Sequence, residues 1–243
     1  MNEAAPRYAI YFVPGAESAL HRFGSSILGY DCYTGSDVDY PERFAGAPLP
    51  WPEVVRAPVK YGFHATLKAP ITLQPEATEE DLTAAFDRFA RMPREIPRLD
   101  LRITTLGPFV AMTPREGDGA LEELAADCVR AFDPFRRPMS AEEEQRRRKA
   151  SLTAAQAANL EQWGYPYVFD ELRFHMTLTG PLPWPDRETI MAALADEWRA
   201  SGGRGAVAVD CISLLRQDTP ASRFRVMAQR RLTAAPRQEA SVR

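Results

Sequence analysis

Cysteine and histidine are scarce in this 243-residue chain, which contains three of each. The cysteines, Cys32, Cys128 and Cys211, are odd in number and form no CxxC pair. The sequence therefore indicates neither a disulfide framework nor a thiolate metal site. We expect three buried free thiols in a reducing compartment.

Long apolar runs and a large excess of either charge are also missing. The apolar run before Pro14 is short and follows an early acidic residue, which fits neither a signal peptide nor a membrane span. We therefore expect a cytoplasmic protein with no membrane partner. The formal charge of −3 disfavours a surface built to hold nucleic acid, so phosphate recognition must be local.

Two nearly identical octapeptides are the most informative feature that is present. FHATLKAP at residues 63–70 is nearly repeated as FHMTLTGP at 174–181, and each copy contains a histidine followed two residues later by a threonine. The similarity continues beyond the motifs, because each is followed by a helical pattern and then by two strand-like stretches. Thr78 with Asp81 predicts the start of the first helix, and Asp186 that of the second.

This repeat predicts an α+β protein with a duplicated, bilobal fold. His64 and His175 are 111 residues apart, far more than a solenoid repeat. We expect two antiparallel sheets flanked by helices, related by a pseudo-twofold axis, with the active groove between them. The predicted segments of this single domain, residues 1–233, are lobe one at about 7–133, a helical connection at about 134–168 and lobe two at about 169–232, followed by a flexible tail at 233–243.

Other segments are predicted from periodicity and capping signals. A strand is expected at 7–14, a helix at 17–28, a long ordered loop at 29–59 and a core helix at 120–132. Capping signatures at Ser140 and Thr153 predict two helices in the connection.

The motifs suit acid and base chemistry on a phosphoester. In an extended strand, alternate side chains share a face, so the first copy presents His64, Thr66 and Lys68 together. The second copy presents His175, Thr177 and Thr179 in the same way. One imidazole can accept a proton while the other donates one, and the threonine hydroxyls can hold the non-bridging phosphate oxygens.

Less specific explanations exist for each of these features. A single HxT sequence is explained by strand packing, but packing gives no reason to keep both polar residues in two copies. A metal site from two histidines and distant carboxylates is less economical, because the sequence has no HxxxH, HExxH or cysteine cluster, and we predict no metal and no cofactor. His21 is expected to be solvated or to cap a helix. The charged run at 142–149 is most simply a solvated helical face, although its arginines with Arg136 and Arg137 could hold a second phosphate.

The motifs resemble those of the 2H phosphoesterase superfamily, which is named for two HxT/S motifs. FHATL and FHMTL match that pattern fully, and the order of elements is similar from about residue 7 to 232. The strings RYAIYF, YGFHATLKAP, WGYPYV and FHMTLTGP resemble a branch encoded beside bacterial phosphonate-degradation genes. The superfamily includes 2′-5′ RNA ligase-like proteins and cyclic phosphodiesterases.

This resemblance implies a metal-independent mechanism with His64 and His175 as general acid and base and Thr66 and Thr177 as phosphate-binding residues. Which histidine is the base stays open, and so does the oligomeric state. The difference between Lys68 and its counterpart Thr179 offers one source of asymmetry. The further candidates to line the groove are Tyr11, Tyr165, Tyr167 and Arg225, for whose tyrosines core packing is an equal alternative.

We therefore expect a hydrolase that acts on a small cyclic phosphodiester, such as a ribose cyclic phosphate in phosphonate metabolism. One alternative is an RNA end-processing enzyme acting on 2′,3′-cyclic or 2′-5′ linkages, which the acidic charge disfavours. The other is a non-catalytic module that binds a nucleotide or phosphorylated ligand in the same groove.

Overall fold

The structure is a computed structural model that describes residues 5–45, 49–139, 152–203 and 205–236. The strands are β1 (Arg7–Phe12), β2 (Tyr30–Asp31), β3 (Ser36–Asp37), β4 (Ala65–Thr72), β5 (Arg98–Leu99), β6 (Leu101–Leu106), β7 (Phe109–Pro114), β8 (Met176–Thr177), β9 (Val207–Ala208), β10 (Cys211–Gln217) and β11 (Arg225–Arg231). The helices are α1 (Ala19–Leu28), α2 (Glu42–Ala45), α3 (Trp51–Val55), α4 (Glu79–Arg91), α5 (Gly119–Phe132), α6 (Ala154–Trp163) and α7 (Trp184–Ala200).

A seven-stranded antiparallel sheet in the order β11-β10-β1-β4-β8-β7-β6 organises the fold. The predicted α+β class is confirmed. The two expected sheets are the halves of this one sheet, and they meet where Ala65 of β4 pairs with Met176 of β8. Each half joins strands that are distant in the chain, since β1 and β4 lie with β10 and β11, while β8 lies with β6 and β7.

The main helices cover one face of this sheet. The large hydrophobic cluster contains Phe23 from α1, Phe86 from α4, Phe132 from α5 and Leu194 from α7, together with sheet residues such as Met176. The opposite face carries a smaller cluster built around Tyr11, Phe224 and other buried side chains. On this second face α6 borders a groove, since its Leu160 lines the same cavity as Tyr11.

Local signals explain where most helices begin and end. The hydroxyl of Ser18 accepts a hydrogen bond from the His21 amide at the start of α1, and Thr78 and Thr153 form capping boxes with Asp81 and Gln156. These side chains satisfy amide groups that a first helical turn leaves without partners. The predicted helices at 17–28 and 120–132, and the one starting at Thr153, are therefore confirmed.

Three local predictions are wrong. The helix α7 begins at Trp184, so Asp186 lies inside its first turn, because Pro183 and Pro185 set the backbone for an earlier start. Segment 29–59 contains β2, β3, α2 and α3, elements too short to show periodicity in sequence. His21 is buried, and its Nε2 atom lies 3.1 Å from Asp31 Oδ1.

The three cysteines are free and buried, as expected. Other predictions concern residues at or beyond the edges of the described segments. Thr233 and Ala235, at the start of the predicted tail, donate backbone hydrogen bonds to Ala90 and Arg94. The predicted helix after Ser140 and the charged run at 142–149 lie outside the described residues. No helix in the described segments is long and apolar enough to cross a membrane.

Candidate active site

The pairing of β4 with β8 brings the two HxT motifs side by side. Ala65 and Met176 are fully buried in the core beneath the sheet, so the residues on either side of them point to the opposite face. Extending the antiparallel register by one residue in each direction places His64 across from Thr177, and Thr66 across from His175. The two histidines therefore occupy diagonal positions, which lie about 7–8 Å apart in such a pair. A phosphate group fits between side chains at that separation.

Each imidazole is held by a backbone carbonyl two residues before it. The Nδ1 atom of His64 lies 2.8 Å from the Gly62 oxygen, and Nδ1 of His175 lies 2.5 Å from the Arg173 oxygen. A carbonyl only accepts, so Nδ1 donates in both rings and the neutral ring keeps its lone pair on Nε2. The Nε2 atom of His64 lies 3.3 Å from the hydroxyl oxygen of Thr66. Both rings thus have Nε2 available for proton transfer.

The two histidines have different surroundings. The Tyr11 ring stacks on His64 with a centroid distance of 3.8 Å and an interplanar angle of 22°. Burial lowers the pKa of His64 to about 4, the Gly62 carbonyl acts against this, and the charge of His175 adds to it. Burial also lowers the pKa of His175, and the nearby Arg173 charge contributes, while the Arg173 carbonyl raises it. The more strongly shifted His64 is therefore the ring more firmly held neutral.

A cavity of about 440 Å³ opens beside these motifs. That volume lies within the usual range for small-ligand sites. Its wall includes His64, Thr66 and Thr177 from the motifs, and the aromatic candidates Tyr11, Tyr165 and Tyr167. A second, more apolar cavity of about 300 Å³ shares Tyr61, His64 and Thr177 with it and extends past Phe109. His64 and Thr177 thus stand between the two spaces, whereas His175 is not among the residues that line either of them.

Lys68 does not reach this groove, contrary to the expectation from strand alternation. Tyr11 pairs with Thr66 but Ile10 pairs with Lys68, so Leu67 is an extra residue in β4 and forms a bulge. A bulge changes the face on which the following side chain lies. Lys68 consequently points to the covered face, where its Nζ atom lies 2.6 Å from Asp133 Oδ1.

Two further candidates also have other roles. The Thr179 hydroxyl is fully buried, accepts from the Val110 amide and donates to the Gly180 carbonyl, so it closes the backbone after β8. The exposed Arg225 packs against Gly35, where an added Cβ would lie 2.7 Å from its Nε atom, and it does not line the cavity beside the motifs. Neither set of contacts could be predicted from the sequence, since both involve segments distant in the chain.

Arg7 is a site residue that the sequence analysis missed. It lines the 440 Å³ cavity, and its Nε atom lies 2.8 Å from Gln217 Oε1. Alternation along β1 puts Arg7 on the same face as Tyr11, so the signal was present in the sequence. That signal becomes informative only once β1 is known to lie beside β4.

The described residues contain no group of three or more histidine, cysteine, aspartate or glutamate residues placed to hold a metal ion.

A family model and two curated proteins match this sequence. The model described as "Protein of unknown function (DUF1045)" matches residues 66–225. A protein of Janthinobacterium sp. (strain Marseille) named ribose 1,5-bisphosphate phosphokinase PhnN is 35% identical over 92% of this chain and 50% of its own length. A protein of the same name from Laribacter hongkongensis is 33% identical over 78% of this chain and 43% of its own length. The chain thus spans about half the length of these relatives.

Solved structures show weaker similarity. LigT of E. coli, solved with 3′-AMP, is 14% identical with a TM-score of 0.41, and the match covers 95% of this chain and 99% of LigT. A conserved protein of Agrobacterium tumefaciens is 15% identical with a TM-score of 0.42, covering 93% of this chain and 86% of that protein. TM-scores this low decide neither the activity nor the ligand of this chain.

Proposed function

The chain belongs to the DUF1045 family, and from the geometry of its paired motifs we propose that it is a metal-independent phosphodiesterase that hydrolyses a small cyclic phosphodiester. The observation that carries this proposal is the diagonal placement of His64 and His175 on one face of the sheet. Both rings use Nδ1 on a backbone carbonyl, which leaves Nε2 of each ring as the atom for proton transfer. Two such groups on opposite sides of a phosphate are what in-line displacement by acid and base requires.

His64 serves as the general base in this proposal and His175 as the general acid. Burial of the His64 ring, on which Tyr11 stacks, lowers its pKa and favours the uncharged form, which can accept a proton. A water oxygen attacks phosphorus as its proton moves to Nε2 of His64. The ring P–O bond breaks, and the leaving oxygen takes the proton from Nε2 of His175, which gives a phosphomonoester. The hydroxyls of Thr66 and Thr177 stabilise the charge on the equatorial oxygens.

The size of the site supports a small substrate. A cavity of about 440 Å³ holds a phosphorylated sugar or a mononucleotide but only one unit of a polymer. The two curated relatives are named for an activity on ribose 1,5-bisphosphate. A kinase name describes no hydrolysis and those proteins are about twice as long as the matched region, so the name supports only a phosphorylated ribose as the substrate class.

Substitution of each histidine tests the proposal. With a nucleoside 2′,3′-cyclic phosphate as substrate, His64→Ala and His175→Ala should each lower kcat by about 10²–10⁴-fold, the usual contribution of a positioned acid or base. Binding of the uncleaved substrate should change little. His21→Gln is the matched control, because this third histidine lies in α1 and bonds to Asp31 instead.

The outcomes separate catalysis from simple binding. Unchanged hydrolysis in both histidine variants would refute the catalytic assignment. No hydrolysis by the unaltered protein, combined with tight binding, would identify a nucleotide-binding module instead. A steep loss of activity with salt on oligonucleotides, but none on mononucleotides, would favour an RNA substrate.

A further inference from the structure

A third and smaller cavity adjoins the groove and is lined by three arginines. Its volume is about 80 Å³, and its wall contains Arg7, Arg136 and Arg137. No aspartate or glutamate is among the described residues that line it. Three guanidinium groups around one small space without an acidic side chain favour an anion there.

This cavity is continuous with the 440 Å³ cavity beside the histidines. Arg7, Ala69 and Pro70 line both. On β1, Tyr11 marks the histidine end and Arg7 the arginine end, four residues apart, which corresponds to about 13 Å between their Cα atoms. The arginine side chains shorten the distance between the two binding positions. What remains is a spacer about the size of one sugar ring.

Two of the arginines are held in place by the protein. Arg136 donates from Nε to Asp133 Oδ1 at 2.8 Å and from Nη2 to the Gln162 carbonyl at 2.9 Å. Arg7 donates to Gln217 Oε1 through Nε at 2.8 Å. Fixed guanidinium groups lose little freedom when a ligand binds, so these contacts prepare the cavity for an anion.

The described residues leave part of the positive charge around this cavity without an acidic partner. Asp133 is shared between Arg136 and the buried Lys68, so one carboxylate faces two cations. The guanidinium of Arg137 makes no hydrogen bond or ion pair with any residue that the structure describes, although its backbone amide donates to the Thr72 carbonyl. The cavity thus carries an excess of positive charge and at least one set of unused donors.

We infer that this cavity binds a second phosphate group of the substrate, so that the substrate is a cyclic phosphodiester of a sugar that also carries a phosphomonoester. The inference rests on the proposed function for the identity of the first phosphate. It also explains an asymmetry of the groove, because three arginines, Arg7, Arg136 and Arg137, lie together at the end marked by Arg7. The cyclic phosphate binds between the histidines, and the phosphomonoester binds at the arginines.

A matched pair of probes tests this. Adenosine 2′,3′-cyclic phosphate and its 5′-phosphorylated form differ only in the second phosphate. The intact protein should prefer the phosphorylated form, and Arg137→Gln should reduce that preference about tenfold through KM, the loss expected for a charged contact. Arg91→Gln is the control, since Arg91 is an exposed arginine at the end of α4, away from both cavities.

A binding measurement separates this inference from the proposed function. Ribose 5-phosphate should bind to a His64→Ala, His175→Ala double variant in calorimetry, more tightly than ribose, and Arg137→Gln should weaken that binding. Turnover of both adenosine probes with equal kcat/KM would overturn the second phosphate site and leave the proposed function standing. Arg137-dependent binding of ribose 5-phosphate, with no turnover of either adenosine probe by the intact protein, would support the second phosphate site and overturn the proposed function. Tighter binding of inorganic phosphate than of ribose 5-phosphate would assign the cavity to a free anion and overturn the inference.

Discussion

Replacement of Lys68 by methionine tests the bulge that sets the face of this side chain. Lys68 is 3% exposed, and its ammonium lies 2.6 Å from Asp133, which is itself only 19% exposed. Removing one member of a buried ion pair usually destabilises a protein by about 3–5 kcal/mol. Asp133 keeps Arg136 at 2.8 Å and retains some contact with solvent, so we expect a smaller loss of about 2 kcal/mol.

The assay is urea and thermal unfolding, with kcat/KM measured on a nucleoside 2′,3′-cyclic phosphate. A loss of about 2 kcal/mol corresponds to a fall in Tm of about 4–8 °C for a chain of this size. The catalytic constant should stay within about twofold, because Lys68 lies beneath the sheet. Lys60→Met is the control, since the Lys60 ammonium bonds only to the Pro220 carbonyl at the surface in the described structure, and it should change stability by less than about 0.5 kcal/mol.

The difference in the free energy of unfolding between the wild type and Lys68→Met should depend on pH. Burial alone raises the pKa of Asp133, but hydrogen bonds from Arg136 and Lys68 outweigh this and hold the pKa below its usual value of 3.8. A carboxyl with a lowered folded-state pKa stabilises the fold above its unfolded pKa and loses that contribution as pH falls through the folded one. The gap between wild type and Lys68→Met should therefore be full at neutral pH and shrink below about pH 3.8. If Lys68→Met kept the wild-type Tm but lost more than tenfold in activity, the bulge would be refuted and Lys68 would be assigned to the groove.

Three other predictions concern the histidines, the packing of α1 and the Thr177 hydroxyl. The value of kcat/KM should rise with pH through about pH 4, as His64 loses its proton. It should then fall with a further rise in pH, with a midpoint lower than pH 6.5, as His175 loses its proton. A maximum above pH 7 would contradict the assigned roles. Gly24→Ala should destabilise the fold by about 1–3 kcal/mol in urea unfolding, because its Cβ would lie 2.0 Å from the Phe63 ring, whereas Gly15→Ala, with nothing within 4 Å, should not. Thr177→Val should lower kcat about tenfold with little change in Tm, and an equal loss of Tm and activity would show that the hydroxyl is structural.

Sequence patterns located the proposed acid and base, His64 and His175, but not all of their neighbours. The repeated Phe, His, Thr and Leu positions identified which side chains share a face, because strand alternation is a local property. The same rule failed at Lys68, since a bulge depends on how many residues the partner strand places opposite. Thr179 lines the more apolar cavity together with His64 and Thr177. Its hydroxyl is bonded to the backbone, however, because β8 ends at Thr177 and the chain turns to meet Val110.

The sequence by itself determined the α+β class, the main helices, the capping residues Thr78 and Thr153 and the two motifs, all of which depend on contacts within a few residues. Only the tertiary structure decided that strands distant in the chain lie side by side in each half of the sheet. That pairing sets His64 diagonal to His175, puts the Tyr11 ring over His64 and brings Arg7 near Arg136 and Arg137. These contacts join residues more than 50 positions apart, and no local pattern specifies which distant strand edge satisfies the backbone hydrogen bonds of another.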